Sequence, residues 1–219
     1  MLVRTFAGSV SGIDAVTVTI EVNVSRGVRF FLVGLPDIAV KESQQRIESA
    51  IRSLGYRWPG QQVVINMAPA DIRKEGSSYD LPLAVGILAA DGKLSAGGIE
   101  DYIFVGELSL DGSLQPVRGI LPIALRAREE GFKGFIVPSK NAKEAAVVGD
   151  LNVYGRKNLG DLIGFFNGSG TCKPVKVDLI DIFNSEGNRY DFDFSDVKGQ
   201  ENVKRALEVA AAGHHNILM

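Results

Sequence analysis

Ser78 lies in a polar run, Lys74-Glu75-Gly76-Ser77-Ser78-Tyr79-Asp80, at the head of an apolar stretch that reaches Ala90. A serine hydroxyl on a glycine-containing loop at a helix start is a candidate nucleophile, provided that a base takes its proton. A lysine amine serves as that base only where burial keeps it neutral. Lys74 and Lys93 are within reach in principle, but nothing in their spacing brings them to Ser78. Arg118 stays protonated and cannot be a base. A second run with chemistry in it is Asp196-Val197-Lys198-Gly199-Gln200-Glu201. The helical run that follows leads to a short apolar segment, residues 216–219, read as a strand. In a phosphate-binding ATPase such a strand runs directly into G-x-x-x-x-G-K-[ST]. That loop is expected just past Met219, so the chain reads as a piece cut before its nucleotide loop.

Other chemistry-bearing residues give weaker patterns. Arg52, Arg57 and Trp58 could form a patch that stacks bases and binds phosphate; a helix end with a tryptophan covering the core is the favoured explanation. Arg126, Arg128 and Lys133 are a similar basic candidate. Asp191, Asp193 and Asp196 lack the glycine and terminal glutamate of a calcium loop, and Phe192 and Phe194 between them suggest a strand with one wet face. His214 and His215 are adjacent, so their side chains diverge, and no third ligand accompanies them. No metal site is expected.

The elements that must position these residues follow from periodicity. Residues 2–10 and 15–24 alternate apolar and polar, with Val16, Val18, Ile20, Val22 and Val24 on one face. A turn at residues 25–27 and a returning strand at 28–33 predict a hairpin. Asp37 caps a helix to Leu54 that buries Ile38, Ile47, Ala50, Ile51 and Leu54. Residues 63–67 form a short buried strand. Asp80 is expected to cap the helix 81–91, with Pro82 tolerated in its first turn. Then come a strand at 102–107, a turn at Asp111-Gly112, its partner at 114–117, a helix at 120–130, a strand at 135–138 and helices near 141–148 and 159–166. Hairpins followed by alternating helices and strands argue for one α+β (α/β-like) domain over residues 1–168. Residues 169–189 read as a linker, and a second piece occupies 190–219.

Composition sets outer limits. The 219 residues are enough for one well-packed domain and an extra piece. A net charge of −2 offers no global attraction to nucleic acid, so any DNA contact needs a local patch. Cys172 is the one cysteine, which leaves no disulfide and fits a reduced, cytoplasmic setting. The first ten residues lack the apolar core of a signal peptide, and the longest apolar stretch is too short to span a bilayer.

Residues 74–82, the hairpin Val105-Gly106-Glu107-Leu108-Ser109-Leu110-Asp111-Gly112-Ser113-Leu114-Gln115-Pro116-Val117 and the helix and strand after it resemble the proteolytic domain of Lon-type proteases, over roughly residues 60–166. The resemblance implies the fold of that domain, shared with the second domain of ribosomal protein S5. It also implies Ser78 as the counterpart of the catalytic serine and position 121 as that of the basic lysine. Position 121 here is Leu121, so the fold is inherited and proteolysis is not expected. The run from Asp196 to Glu201 resembles the lead-in to the phosphate loop of AAA+ ATPases, which assigns Val197, Gly199 and Gln200 to the adenine side.

Together the two parts resemble the Mg-chelatase-related family typified by ComM and YifB. The strings Arg4-Thr5-Phe6-Ala7-Gly8, Val33-Gly34-Leu35-Pro36-Asp37, Glu42-Ser43 with Arg46, and Ile65-Asn66-Met67-Ala68-Pro69-Ala70-Asp71 carry the same resemblance. It implies a parent that is a hexameric motor using ATP and Mg²⁺, moving on single-stranded or branched DNA, with branch migration of incoming DNA in natural transformation as its role. The piece itself is expected to bind no cofactor, because the phosphate-binding lysine lies beyond it. The rivals are a Ser78-dependent peptidase with another base and an interaction module that regulates the motor without touching DNA.

Overall fold

The computed structural model describes residues 1–169, 173–178 and 192–218 and divides the chain into two units, Met1–Val177 and Asp178–Met219. Cys172, Asp191, Met219 and most of the expected linker lie outside the described residues.

The first unit is a three-layer α/β arrangement. Its strands are β1 (Leu2–Ser11), β2 (Asp14–Ser25), β3 (Phe30–Val33), β4 (Gln62–Ala68), β5 (Tyr102–Phe104), β6 (Glu107–Leu108), β7 (Leu114–Gln115), β8 (Gly134–Pro138) and β9 (Asn152–Arg156). Its helices are α1 (Ile38–Ser53), α2 (Asp80–Ala90), α3 (Ile120–Glu129), α4 (Ala142–Ala146) and α5 (Leu159–Phe166). Seven strands form one sheet in the order β3-β4-β2-β1-β5-β8-β9, and β6 and β7 pair separately. The pairs β4–β2 and β2–β1 are antiparallel, and the other four are parallel.

Alternation along the strands sends apolar side chains to both faces. Val18, Ile20 and Val22 of β2 join Val63, Ile65 and Met67 of β4 in a core covered by α1, α2 and α5. Ile103, Phe135 and Val153 face the opposite core, beneath α3 and α4. The central helix, α2, is buried along its whole length, as its uninterrupted apolar sequence requires. Gly86 lets it press onto the sheet: a Cβ there would lie 2.6 Å from Val22 Cγ2.

Several expectations are corrected. β2 and β3 do not form a hairpin; β4 pairs antiparallel with β2 and parallel with β3, inserting between them. β4 buries Val63, Ile65 and Met67 on one face, and a strand with that much to bury wins the central position over a four-residue neighbour. Asp37 caps α1 as expected, its side chain accepting from the Val40 N–H, yet Ile38 is exposed and Val40 and Ser43 take the buried positions in the first turns. Asp80 does not cap α2. The helix entry is made by a 3₁₀ turn, Ser77–Tyr79, and Asp80 is already helical. β9 is an unanticipated strand.

In the second unit, Phe194–Asp196 form a 3₁₀ turn rather than a strand, because Asp193 and Asp196 close a capping box around it. The helix α6 (Glu201–Ala212) follows. Residues 215–218 have no regular structure, and no strand lies among the described residues of this unit to pair with them.

Candidate functional site

Ser78 is positioned by two backbone hydrogen bonds that join the 3₁₀ turn to the segment after β5. The Gly106 N–H donates to the Ser78 carbonyl at 2.9 Å, and the Leu81 N–H donates to the Gly106 carbonyl at 3.0 Å. This clamp carries the serine loop and the residues before β6 as one piece. Two small clefts open beside Ser78. One, of about 320 Å³, has Ser77, Glu107, Val117 and Arg118 in its walls; the other, of about 170 Å³, has Ser9, Arg73, Tyr79 and Arg118. Ser78 and Arg118 line both clefts.

Beneath the loop lies a buried ion pair. The Arg46 guanidinium from α1 grips Asp80 with Nε to Oδ2 at 2.7 Å and Nη2 to Oδ1 at 2.9 Å. The Leu108 N–H of β6 donates to the same carboxylate at 3.1 Å. Burial pushes the Asp80 carboxyl up from the ordinary carboxylate range, while Arg46 and the Leu108 N–H pull it back toward the charged form. Asp80 therefore ties α1, α2 and β6 together under Ser78. Its position before an apolar run reads in sequence as a helix cap, and only the fold reveals the partner on α1.

Among the described residues no lysine lines the clefts beside Ser78. Lys74 is fully buried, and its ammonium donates to the Pro69 carbonyl. Burial holds that ammonium below the ordinary lysine range, yet it lines neither cleft. Lys93 pairs with Asp91 and with the Arg57 carbonyl. It lies past the far end of α2, a helix roughly 16 Å long. Leu121 is partly exposed on α3 and also lines neither cleft. In the larger of the two clefts Glu107 accepts a hydrogen bond from the Ser77 hydroxyl. Sequence inspection missed this pair because the two residues are 30 positions apart. A carboxylate is a far weaker base than the neutral amine of Lon-type chemistry, and here it engages the serine beside the one expected.

The structure brings Arg52, Arg57 and Trp58 to the C-terminal end of α1 but not into an open platform. Arg52 pairs with Glu48 at 2.6 Å. Trp58 packs against the core, its ring 6.1 Å from that of Phe30. Arg126 pairs with Glu130 at 2.6 Å and Lys133 with Asp101 at 2.6 Å; Arg128 donates to the Val148 carbonyl at 2.9 Å. In the second unit, Gly199 and Gln200 adopt consecutive left-handed conformations, with φ of 70° and 59°. Such a pair turns the backbone sharply into α6 and leaves Val197 partly exposed beside it. Among the described residues no group of three or more His, Cys, Asp or Glu side chains could hold a metal ion, and no helix is long and apolar enough to cross a membrane.

Comparison with known proteins places the chain. Residues 20–141 match the family described as subunit ChlI of Mg-chelatase. Residues 193–219 match the magnesium chelatase subunit ChlI model. Competence protein ComM of Haemophilus influenzae is 41% identical over 210 residues, covering 94% of this chain and 41% of ComM. The uncharacterized protein YifB of Escherichia coli is 38% identical over 210 residues, covering 95% of this chain and 40% of YifB. Lon protease 2 of Bacillus subtilis is 29% identical over 102 residues, 46% of this chain and 18% of the protease. The chain thus spans about two-fifths of the length of ComM and YifB. It belongs to the Mg-chelatase ChlI-like family that includes ComM and YifB.

Proposed function

We propose that this chain is the N-terminal, non-proteolytic part of a ComM-like AAA+ protein, and that residues 1–168 keep a Lon-type, S5-domain-like fold. Residues 169–189 are then a linker and 190–219 the first elements of the ATPase module. The observation that carries this reading is the family match on both sides of the linker combined with clefts at Ser78 that no lysine lines among the described residues. The parent is a hexameric, ATP- and Mg²⁺-dependent motor on single-stranded or branched DNA, acting in branch migration of incoming DNA in the cytoplasm. Val197, Gly199 and Gln200 supply the adenine side of its nucleotide site. The backbone supports this assignment: the turn is open around Gly199, where an added Cβ would meet nothing within 4 Å. The described residues include no phosphate cradle, so this chain alone is expected to be inert toward ATP. Reading the gene past the codon for Met219 tests the assignment. A G-x-x-x-x-G-K-[ST] loop within the next dozen or so residues is the expected result; its absence would overturn it.

One observation favours a second reading, a serine-dependent hydrolase. Ser77 and Glu107 are hydrogen-bonded in a cleft that Arg118 also lines. Cleavage of fluorogenic peptides that is abolished by Ser77→Ala or Ser78→Ala would establish it. We expect no cleavage above background from the chain or from either variant.

A further inference from the structure

The seven-stranded sheet ends in β3 on one side and β9 on the other. Part of the β9 edge is occupied: the Val175 N–H donates to the Val153 carbonyl at 2.7 Å. The outer edge of β3 has no strand beside it among the described residues. On its inner edge, the Val63 N–H donates to the Arg29 carbonyl at 2.9 Å. In a parallel ladder that bond fixes the alternation. Arg29, Phe31 and Val33 turn their N–H and C=O groups to β4, and Phe30 and Leu32 turn theirs outward.

The side chains alternate as well. Phe30 and Leu32 pack on the core, whereas Phe31 and Val33 are 41% and 49% exposed on the opposite face. Elsewhere on that face β2 presents Thr17, Thr19, Glu21 and Asn23, and β4 presents Gln62, Val64, Asn66 and Ala68, with Val64 directly beside Phe31. Proteins commonly place a charge on an exposed edge strand to block pairing. Here Phe31 and Val33 stand where that charge would be.

We propose that β3 is a self-association edge, pairing antiparallel with β3 of a second copy of this chain about a two-fold axis at Leu32. In that register Leu32 and the partner's Leu32 exchange both backbone hydrogen bonds. Phe31 then lies directly opposite the partner's Val33, and Val33 opposite the partner's Phe31, on one face. Each exposed apolar side chain is covered by the other kind. Charge leans the same way: exposed Arg26 and Arg29 flank the start of the strand, and the half-buried Asp37, whose carboxylate also accepts from the Val40 and Gly76 N–H groups, follows its end, so antiparallel pairing brings the cationic end of each copy toward that carboxylate of the other. The contact is isologous and closes at two copies. A ring of subunits would need a different surface, so this proposal and the motor assignment stand or fall separately.

Sedimentation velocity of the 219-residue chain across the micromolar range tests it. The expected result is a reversible monomer–dimer equilibrium. Phe31→Lys combined with Val33→Lys should weaken it by roughly tenfold or more, with the circular dichroism spectrum and unfolding midpoint retained. A second measurement holds even if that double variant unfolds. In a Cys172→Ser background, a mixture of Phe31→Cys and Val33→Cys chains should oxidise to a crosslinked pair far more than either chain alone. Opposed residues at a non-hydrogen-bonded position lie about 4.5 Å apart between Cα atoms, within disulfide reach. A chain that stays monomeric, a dimer indifferent to the two lysines, or crosslinking equal in the mixture and the separate chains would overturn the proposal.

Discussion

Asp80 and Lys74 hold the serine loop from two sides, and each makes a measurable prediction. Asp80 is wholly buried and Arg46 largely so, which makes their pair costly to break from one side only. Asp80→Asn should destabilise the first unit by about 3 kcal/mol, since Arg46 would keep its charge without its counter-ion. Urea unfolding followed by circular dichroism reads this directly; a loss near zero would mean the pair is dispensable. For Lys74, burial lowers the affinity of the folded state for its proton. The penalty is full below the folded pKa and is relieved as pH rises toward the unfolded value of about 10.4. The stability advantage of Lys74→Met over the parent chain should therefore shrink between neutral pH and about pH 10. Taking the difference between the two chains cancels Tyr79, whose hydroxyl burial pushes up in both. An advantage that grows with pH would contradict the buried placement. Ser78 was recognisable in sequence as the residue to test, because its loop and following helix are local. The Glu107 contact to Ser77 and the Arg46 grip on Asp80 were not, because both are made by the fold across more than two dozen residues.

Elements show the same division between local and non-local information. α1 was legible from its cap at Asp37 and the spacing of Ile47, Ala50 and Ile51. α3 and α5 were legible for similar reasons. The placement of β3 was not, since Ser25-Arg26-Gly27 reads as a hairpin turn and only competition for the sheet reveals that β4 displaces it. β9 escaped because Asn152-Val153-Tyr154-Gly155-Arg156 carries a single buried apolar side chain, Val153. Gly34 tests the β3–β4 arrangement. It leaves the strand at φ 103°, and a Cβ there would lie 2.0 Å from the Met67 carbonyl oxygen. Gly34→Ala should cost at least about 2 kcal/mol, through both the left-handed backbone and the contact with β4. Thermal unfolding would reveal it, and an unchanged midpoint would argue that β3 is not seated against β4.

At the scale of the whole molecule, the first unit is an α/β layer structure with its own two cores. The second unit is different: α6 leaves Val203 and Val209 exposed, and Ala210 is its one buried residue among those described. An amphipathic helix so placed expects a further surface to cover it, which agrees with a chain spanning two-fifths of its relatives. The apolar stripe was visible in the sequence; the strand expected at 216–219 is not formed at its described residues, 216–218, because a strand exists only with a neighbour to bond.

Under the proposed function, the parent is a DNA motor whose N-terminal domain has lost proteolysis. The most direct test is a branch-migration assay of the full-length protein on a labelled four-way junction, with and without ATP and Mg²⁺. The expected result is separation of the junction, without strand cleavage, into two labelled duplex products, in a reaction that requires ATP hydrolysis and is unaffected by Ser78→Ala. Full-length protein that hydrolyses ATP yet leaves the junction intact, or junction processing that is lost with Ser78→Ala, would contradict it.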